Sequence, residues 1–351
     1  MDDNRTAAWV HLGRWLRGEL PGQGPHDAGL LAAAHGANGW FTPDEVRHAL
    51  ATLGSWCTED VLRAWLQRAP GVPVAAEAAR TVGLVLPGNL PLVGFADVAA
   101  VVCAGHRAAV KCAHGDTVLM RAVIEAWKAG GLPDAAVQFV DGIASNWDAV
   151  IATGSANTNR YFAHYFGHLP HVFRGTRTSV AVLDGQETDD QLAGLAEDIF
   201  RYFGMGCRSV TKVFVPRGYD LDRLFGAFLP WAHRGDHNKY ANNYTYHKAV
   251  WLLNGEQLVE NGFILLREGD GWGSPVGALT YAFHDGVESA LQQCHEHNAL
   301  IQCVVTRTGE PVEGLGVVAM GAAQTPRPWD YADGVDTLQF LADLAVPSTH
   351  A

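Results

Sequence analysis

The segment FGMGCRS, residues 203–209, contains the side chain of this sequence best suited to chemistry, a cysteine directly preceded by glycine. Thiolates are strong nucleophiles and form thioesters readily, so Cys207 could divide an acyl transfer into two easier steps. An amphipathic stretch precedes this segment and an apolar run follows it, which places Cys207 between a helix and a strand. A buried structural cysteine is the alternative, because cysteine is among the residue types most often buried.

Two further polar residues follow apolar runs that read as strands. Asn89 stands in PGNLP (87–91), where its amide could donate a hydrogen bond to an oxyanion or belong to an ordinary turn. Lys111 ends the run RAAVK, where its ammonium could hold the ribose or a phosphate of a cofactor, or remain in solvent. Spacing alone leaves both alternatives open for each residue.

The tripeptide Thr153-Gly154-Ser155 ends another apolar run and precedes a helical stretch. Backbone N–H groups and the helix dipole at such a turn suit a diphosphate, although an ordinary helix cap explains the same residues. The sequence has no GxGxxG after a strand, so the usual Rossmann fingerprint is absent.

Two other polar segments carry weaker signals. The segment CHEH (294–297) does not predict a metal site, because its two histidines would point to different faces of a helix. The polar and aromatic segment 236–244 either lines the entrance of an active site or is a solvated loop that leads into a helix.

These residues need a scaffold, and the apolar pattern predicts one. From Thr81 onward, short apolar runs alternate with helical stretches such as 117–129 and 189–204. This alternation predicts an α/β fold with two lobes and parallel-rich sheets, on which ligands lie at the carboxyl ends of strands. Capping residues at Thr42 and Thr58 predict a helical N-terminal module before it.

The predicted segments are a helical N-terminal module (1–78), a cofactor-binding lobe (79–177), a catalytic lobe that carries the cysteine (178–310) and a C-terminal return segment (311–351). A net charge of −12 and a pI near 5.7, with no cluster of Lys and Arg, argue against a nucleic-acid partner. No signal peptide and no integral membrane segment is predicted. Six scattered cysteines predict reduced thiols and a cytoplasmic enzyme, and a homo-oligomer is left open.

Taken in chain order, the motifs resemble those of the aldehyde dehydrogenase superfamily over roughly residues 82–341. The resemblance is greatest to the acyl-CoA reductase family that includes the fatty acyl reductase of bacterial luminescence. PGNLP resembles the superfamily's proline-asparagine-proline segment, AGHRAAVK the strand with the cofactor lysine, and ATGS the threonine-glycine-serine turn. FGMGCRSVTKVFVP resembles the nucleophile segment, SPVGAL the phenylalanine-glycine-proline-valine segment, and DYADGVDTLQFL the closing segment.

The resemblance implies an aldehyde-dehydrogenase-like fold in which Cys207 is the nucleophile. Asn89 and the backbone N–H of Cys207 would then hold the oxyanion. Lys111 and the turn Thr153–Ser155 would bind a nicotinamide cofactor. His114 stands where many relatives carry an acid against the ribose 2′-hydroxyl, so we expect NADPH ahead of NADH as the cofactor.

The departures from the family pattern indicate the reaction. The glutamate that activates water in hydrolytic relatives would fall near Phe173 and Arg174, and without it the acyl-enzyme should hydrolyse slowly. The resemblance therefore implies reduction of a long-chain acyl thioester, carried by coenzyme A or an acyl carrier protein, to the aldehyde. The alternatives are a non-acylating NAD(P)-dependent aldehyde dehydrogenase, an acyltransferase or thioesterase that uses the same cysteine, and a non-catalytic scaffold.

Overall fold

The structure is a computed structural model, and it describes residues 3–20, 24–142 and 146–345. The helices are α1 (Asp3–Leu16), α2 (Ala28–Ala37), α3 (Pro43–Trp56), α4 (Glu59–Leu66), α5 (Phe95–Cys103), α6 (Thr117–Ala129), α7 (Ala156–Phe166), α8 (Asp189–Phe200), α9 (Asp222–Phe228), α10 (Asn238–Leu253), α11 (Val287–Glu296) and α12 (Thr337–Asp343). The strands are β1 (Thr81–Val85), β2 (Arg107–Lys111), β3 (Val137–Phe139), β4 (Ala149–Thr153), β5 (His171–Arg174), β6 (Thr178–Val182), β7 (Val210–Pro216), β8 (Val259–Glu260), β9 (Leu265–Glu268), β10 (Ala278–His284), β11 (Ile301–Thr306) and β12 (Val317–Ala319).

Several of these helices begin at the capping residues that the sequence predicts. The Thr42 hydroxyl accepts the backbone N–H of Glu45 at the start of α3, and Pro43 occupies the first helical position. The Thr58 hydroxyl accepts the N–H of Val61 and begins α4 in the same way. The predicted helical character of this region is therefore confirmed.

The chain forms two compact units, and each is described by itself. The first comprises Met1–Gly175 and Arg327–Ala351, and the second comprises Thr176–Pro326. The division into four segments with boundaries after 78, 177 and 310 stays a prediction.

The first unit is built on a five-stranded sheet in the order β3-β2-β1-β4-β5, with every neighbouring pair parallel. The N-terminal helices share the hydrophobic core of this sheet, because Trp9 of α1 lies 6.4 Å from Phe95 of α5 and 5.2 Å from Trp127 of α6, measured between ring centroids. Burying such large aromatic side chains against the sheet helices stabilises the N-terminal helices in this position.

The second unit is built on a seven-stranded sheet in the order β12-β11-β6-β7-β10-β9-β8. Its strands pair in parallel except for the short edge strand β8, which runs antiparallel to β9. The central strands β6 and β7 are buried almost throughout, as expected of parallel strands covered on both faces.

The predicted α/β fold with parallel-rich sheets and N-terminal helices is confirmed. One boundary within it is wrong. The predicted helix over 189–204 ends at Phe200, because the backbone turns into a left-handed conformation at Tyr202 and Phe203. In the described part of the chain, no helix combines the length and the apolar character needed to cross a membrane.

Candidate active site

The backbone turns sharply just before Cys207. Three successive residues adopt left-handed conformations after α8, with φ of 53° at Tyr202, 57° at Phe203 and 75° at Gly204. Glycine adopts this conformation readily, but a left-handed residue with a side chain costs about 1–2 kcal/mol. Two such residues in a row persist because surrounding packing holds them, and strain of this kind concentrates at functional sites.

Cys207 itself lies in a tight turn between this bend and β7. The N–H of Ser209 donates to the carbonyl of Gly206 (3.0 Å), and the N–H of Gly206 donates to the Ser209 hydroxyl (3.1 Å). The hydroxyl of Ser179, which is fully buried on β6, donates to the carbonyl of Cys207 (3.0 Å). These hydrogen bonds fix the backbone around Cys207 from two sides. Cys207 itself is half-buried and therefore keeps some exposure to solvent.

Ser179 is a residue that the sequence analysis missed. Its hydroxyl also accepts the N–H of Cys303 (3.2 Å), which anchors it between β6 and β11. Nothing in the sequence around Ser179 marks it, because its partner Cys207 is 28 residues further along the chain.

The remaining cysteines are poor nucleophiles in this structure. Burial raises the pKa of each of these thiols, to about 12 at Cys103 and Cys294, to about 11 at Cys112, and above the ordinary value at Cys57 and Cys303. A thiol with a raised pKa stays protonated at neutral pH, and the thiolate is the reactive form. Cys207 is thus the cysteine whose setting best suits a nucleophile.

The bend before Cys207 packs against the polar segment that the sequence analysis left open. Residues 229–236 form a 3₁₀ helix that runs into α10, so the segment is helical rather than a loop. The Phe203 ring lies 4.6 Å from that of His237, and the Arg234 guanidinium lies 4.5 Å from the Phe203 ring centroid. A cavity of about 10 Å³ beside Phe203, with Tyr240 in its wall, is just large enough for one water molecule.

In the first unit, the predicted site residues gather at the carboxyl edge of the sheet. Asn89 follows the end of β1, Lys111 is the last residue of β2, and Thr153 is the last residue of β4. The strand order reverses between β1 and β4, since β1 continues to β2 on one side and β4 leads to β5 on the other. Open parallel sheets bind ligands in the crevice at such a reversal.

The turn after β4 is a capped helix start. The hydroxyl of Ser155 accepts the N–H of Thr158 (3.3 Å) and begins α7, while the N–H of Gly154 donates to the carbonyl of Arg174 on β5 (3.1 Å). The ordinary cap is therefore present, and binding of a diphosphate by Thr153, Gly154 and Ser155 stays a prediction.

Lys111 and His114 follow one another along the same edge. Lys111 is half-buried, and within the described residues its ammonium group has neither a hydrogen bond nor an ion pair. His114 is exposed on the short 3₁₀ helix His114–Asp116. An unneutralised ammonium at the end of a central strand, next to the strand reversal, fits the hydroxyl and phosphate groups of a dinucleotide cofactor.

The end of β5 carries a buried ion pair. The Arg174 guanidinium contacts the Asp97 carboxylate and donates to the Thr337 hydroxyl (2.8 Å), and both charged side chains are less than a tenth exposed. This is the place near which a water-activating glutamate would fall by resemblance. In this structure the strand ends there in a cation whose carboxylate partner is fully engaged.

Comparison with known proteins agrees with this architecture. Residues 69–225 match the sequence model of the aldehyde dehydrogenase family. This similarity covers a little under half of the chain. The matched residues begin before β1 and extend past Cys207, so they include both the strand reversal and the cysteine turn.

Two similar curated proteins are N-succinylglutamate 5-semialdehyde dehydrogenases. The one from Burkholderia mallei (strain SAVP1) is 26% identical over 161 residues, 42% of this chain and 32% of that protein. The one from Burkholderia cenocepacia is 24% identical over 155 residues, 40% of this chain and 31% of that protein. The chain therefore spans about a third of the length of the curated relatives it matches.

Solved structures extend the likeness of fold over most of the chain. The NAD⁺ complex of an aldehyde dehydrogenase from Bacillus cereus superposes with a TM-score of 0.61 at 14% identity, over 86% of this chain and 71% of that one. The NAD-bound Delta-pyrroline-5-carboxylate dehydrogenase of Mycobacterium tuberculosis gives a TM-score of 0.60 at 14% identity, over 87% of this chain and 66% of that one. The chain thus has the aldehyde dehydrogenase fold.

Proposed function

We propose that this protein reduces an acyl thioester to the aldehyde with NADPH or NADH, through an acyl-enzyme on Cys207. One observation carries the proposal. Where a water-activating glutamate would be expected by resemblance, β5 ends in Arg174, and the neighbouring carboxylate of Asp97 is held in an ion pair. A thioacyl enzyme without a general base for water persists long enough to exchange with a thiol or to accept a hydride.

Cys207 is the proposed nucleophile. Its thiolate attacks the thioester carbonyl, the carbon–sulfur bond to the carrier thiol breaks, and the carrier leaves as a thiol after it gains a proton. The turn 206–209 and the Ser179 hydroxyl hold the Cys207 backbone still during this exchange. Asn89 and the Cys207 N–H are the proposed donors to the oxyanion, each typically worth about 10²–10³ in rate.

The first unit would hold the cofactor at the carboxyl edge of its sheet. Lys111 would bind the ribose or a phosphate, and the capped start of α7 at Thr153–Ser155 would face the diphosphate. When bound, a nicotinamide cofactor supplies the hydride that converts the acyl group into the aldehyde. His114, rather than a carboxylate, stands near the expected position of the ribose 2′-hydroxyl, which supports NADPH ahead of NADH.

Product analysis tests the proposal directly. The protein would be incubated with a series of coenzyme A and acyl-carrier-protein thioesters of increasing chain length, with NADPH or NADH, while cofactor oxidation is followed and aldehyde is trapped. Aldehyde formed in equal amount to oxidised cofactor supports the proposal. Cofactor left unoxidised with every thioester would rule it out.

A second candidate is a non-acylating, NAD(P)-dependent aldehyde dehydrogenase, and the names of the Burkholderia relatives favour it. The two reactions differ in their products. Supplied with an aldehyde and NAD(P)⁺, the second candidate forms the free acid whether or not coenzyme A is present. The proposed enzyme forms acyl-CoA and depends on the added thiol.

A further inference from the structure

The N-terminal helices reach the turn that carries Asn89. Asn38 terminates α2, and its side-chain amide donates to the carbonyl of Gly88 (3.1 Å), fifty residues further along the chain. Gly88 directly precedes Asn89, the proposed oxyanion donor. We infer that Asn38 is a positioning residue for Asn89, which gives the N-terminal helices a part in catalysis. This inference rests on the proposed function.

Close packing shows that the contact is built into the fold. A side-chain carbon on Gly115 would lie 3.0 Å from the Asn38 amide nitrogen and 3.4 Å from the Gly88 oxygen. A side-chain carbon on Gly88 would lie 2.6 Å from that of Ala113, which is closer than real contacts allow. The amide of Asn38 therefore reaches Gly88 at a point where Gly115 leaves room for it, while Gly88 itself packs closely against Ala113.

The Asn89 turn needs such support because its own backbone is irregular. Leu92, three residues after Asn89, has a φ of 57°, which a residue with a side chain adopts only when its surroundings impose it. An oxyanion donor acts only when it is held at the place where charge develops, within a fraction of an ångström. The hydrogen bond from Asn38 to the Gly88 carbonyl restricts the turn at the peptide that directly precedes Asn89.

Asn38 has two functions that a single substitution can separate. Its side-chain oxygen accepts the N–H of Trp40 (3.1 Å), which shapes the chain after α2, and its nitrogen donates to Gly88. Asn38→Asp keeps the acceptor for Trp40 and removes the donor for Gly88. The matched control is Asp27→Ala at the other end of the same helix, where Asp27 caps α2 by accepting the N–H of Gly29 (2.7 Å).

Steady-state kinetics with an acyl thioester provide the first measurement. Asn38→Asp should lower kcat about ten-fold and leave KM nearly unchanged, because loss of one hydrogen bond to the turn affects the transition state rather than ground-state binding. Asp27→Ala should weaken the helix and leave kcat unchanged. In an Asn89→Ala background, Asn38→Asp should cause no further loss, since it acts only through Asn89.

Amide hydrogen exchange provides a second measurement that needs no substrate. Asn38→Asp should speed exchange in the segment 87–92, and Asp27→Ala should not. Unchanged exchange there, or an equal loss of kcat in the Asn89→Ala background, would overturn the inference. If the wild-type protein reduces no thioester, the proposed function fails, and exchange alone then decides whether Asn38 positions the turn.

Discussion

Asp116 lies beside the Asn89 turn, and among the described residues no basic side chain forms an ion pair with it. It is 3% exposed at the start of α6, and neither carboxyl oxygen has a hydrogen-bond partner among the described residues. Burial raises the pKa of Asp116 from 3.8 to about 8, while the nearby backbone N–H of Leu92 lowers it by a smaller amount. We expect Asp116 to be protonated in the folded protein at neutral pH and ionised in the unfolded chain.

The size of the effect follows from that difference in pKa. Between 3.8 and about 8 the folded state holds one proton more than the unfolded state, so stability falls as the pH rises. Each pH unit in this window lowers the free energy of unfolding by about 1.4 kcal/mol, or about 4 kcal/mol from roughly pH 5 to pH 8. Asn at this position cannot ionise, so Asp116→Asn should remove that loss.

Urea unfolding followed by tryptophan fluorescence measures this effect, because Trp9, Trp65 and Trp127 are buried in the core of the same unit. The free energy of unfolding of Asp116→Asn minus that of the wild type should rise by about 4 kcal/mol from roughly pH 5 to pH 8. The comparison between the two proteins cancels the titration of every other group.

Asp198 is also a buried aspartate, but its carboxyl oxygens have hydrogen-bond partners, unlike those of Asp116. Burial raises its pKa to about 7, but its carboxyl oxygens accept the N–H groups of Gly321 (2.7 Å) and Ala323 (2.9 Å). Asp198→Asn leaves one of these N–H groups without an acceptor, which should destabilise the protein by about 1–3 kcal/mol near pH 5.

The argument for Asp116 would be refuted if the free energies of unfolding of the wild type and Asp116→Asn, plotted against pH, stayed parallel across the whole range.

Three predictions concern catalysis. Cys207→Ala should abolish aldehyde formation and labelling by radioactive acyl-CoA while the fold, followed by circular dichroism, stays intact; retained labelling would show that another residue is acylated. Asn89→Ala should lower kcat by about 10²–10³ in both half-reactions, and a change confined to KM would instead make Asn89 a binding or turn residue. NADPH should give the higher kcat/KM, and His114→Glu should shift the ratio of the two kcat/KM values toward NADH. Each ten-fold change in that ratio is worth about 1.4 kcal/mol. A wild-type preference for NADH that the substitution does not change would contradict the role of His114.

Local signals in the sequence were sufficient for much of the scaffold. The capping residues Thr42 and Thr58 begin helices where they predict them, and α6 has the predicted bounds 117–129. Each of these features depends on residues within one or two turns, because capping and helical periodicity are properties of near neighbours. The order of apolar runs was also enough to place Lys111 at the end of a strand and Asn89 in the turn that follows another.

Other features came only from the tertiary structure, since they depend on residues that are distant in sequence. Tyr202 and Phe203 carry side chains, which disfavour the left-handed conformation, and tertiary packing such as that of the Phe203 ring against His237 holds the bend. The hydrogen bonds from Ser179 to Cys207 and from Asn38 to Gly88 span 28 and 50 residues, and a local pattern contains no information about either partner. The sequence determined which elements form and which side chains end them. Packing between distant segments determined how firmly the cysteine and the Asn89 turn are held.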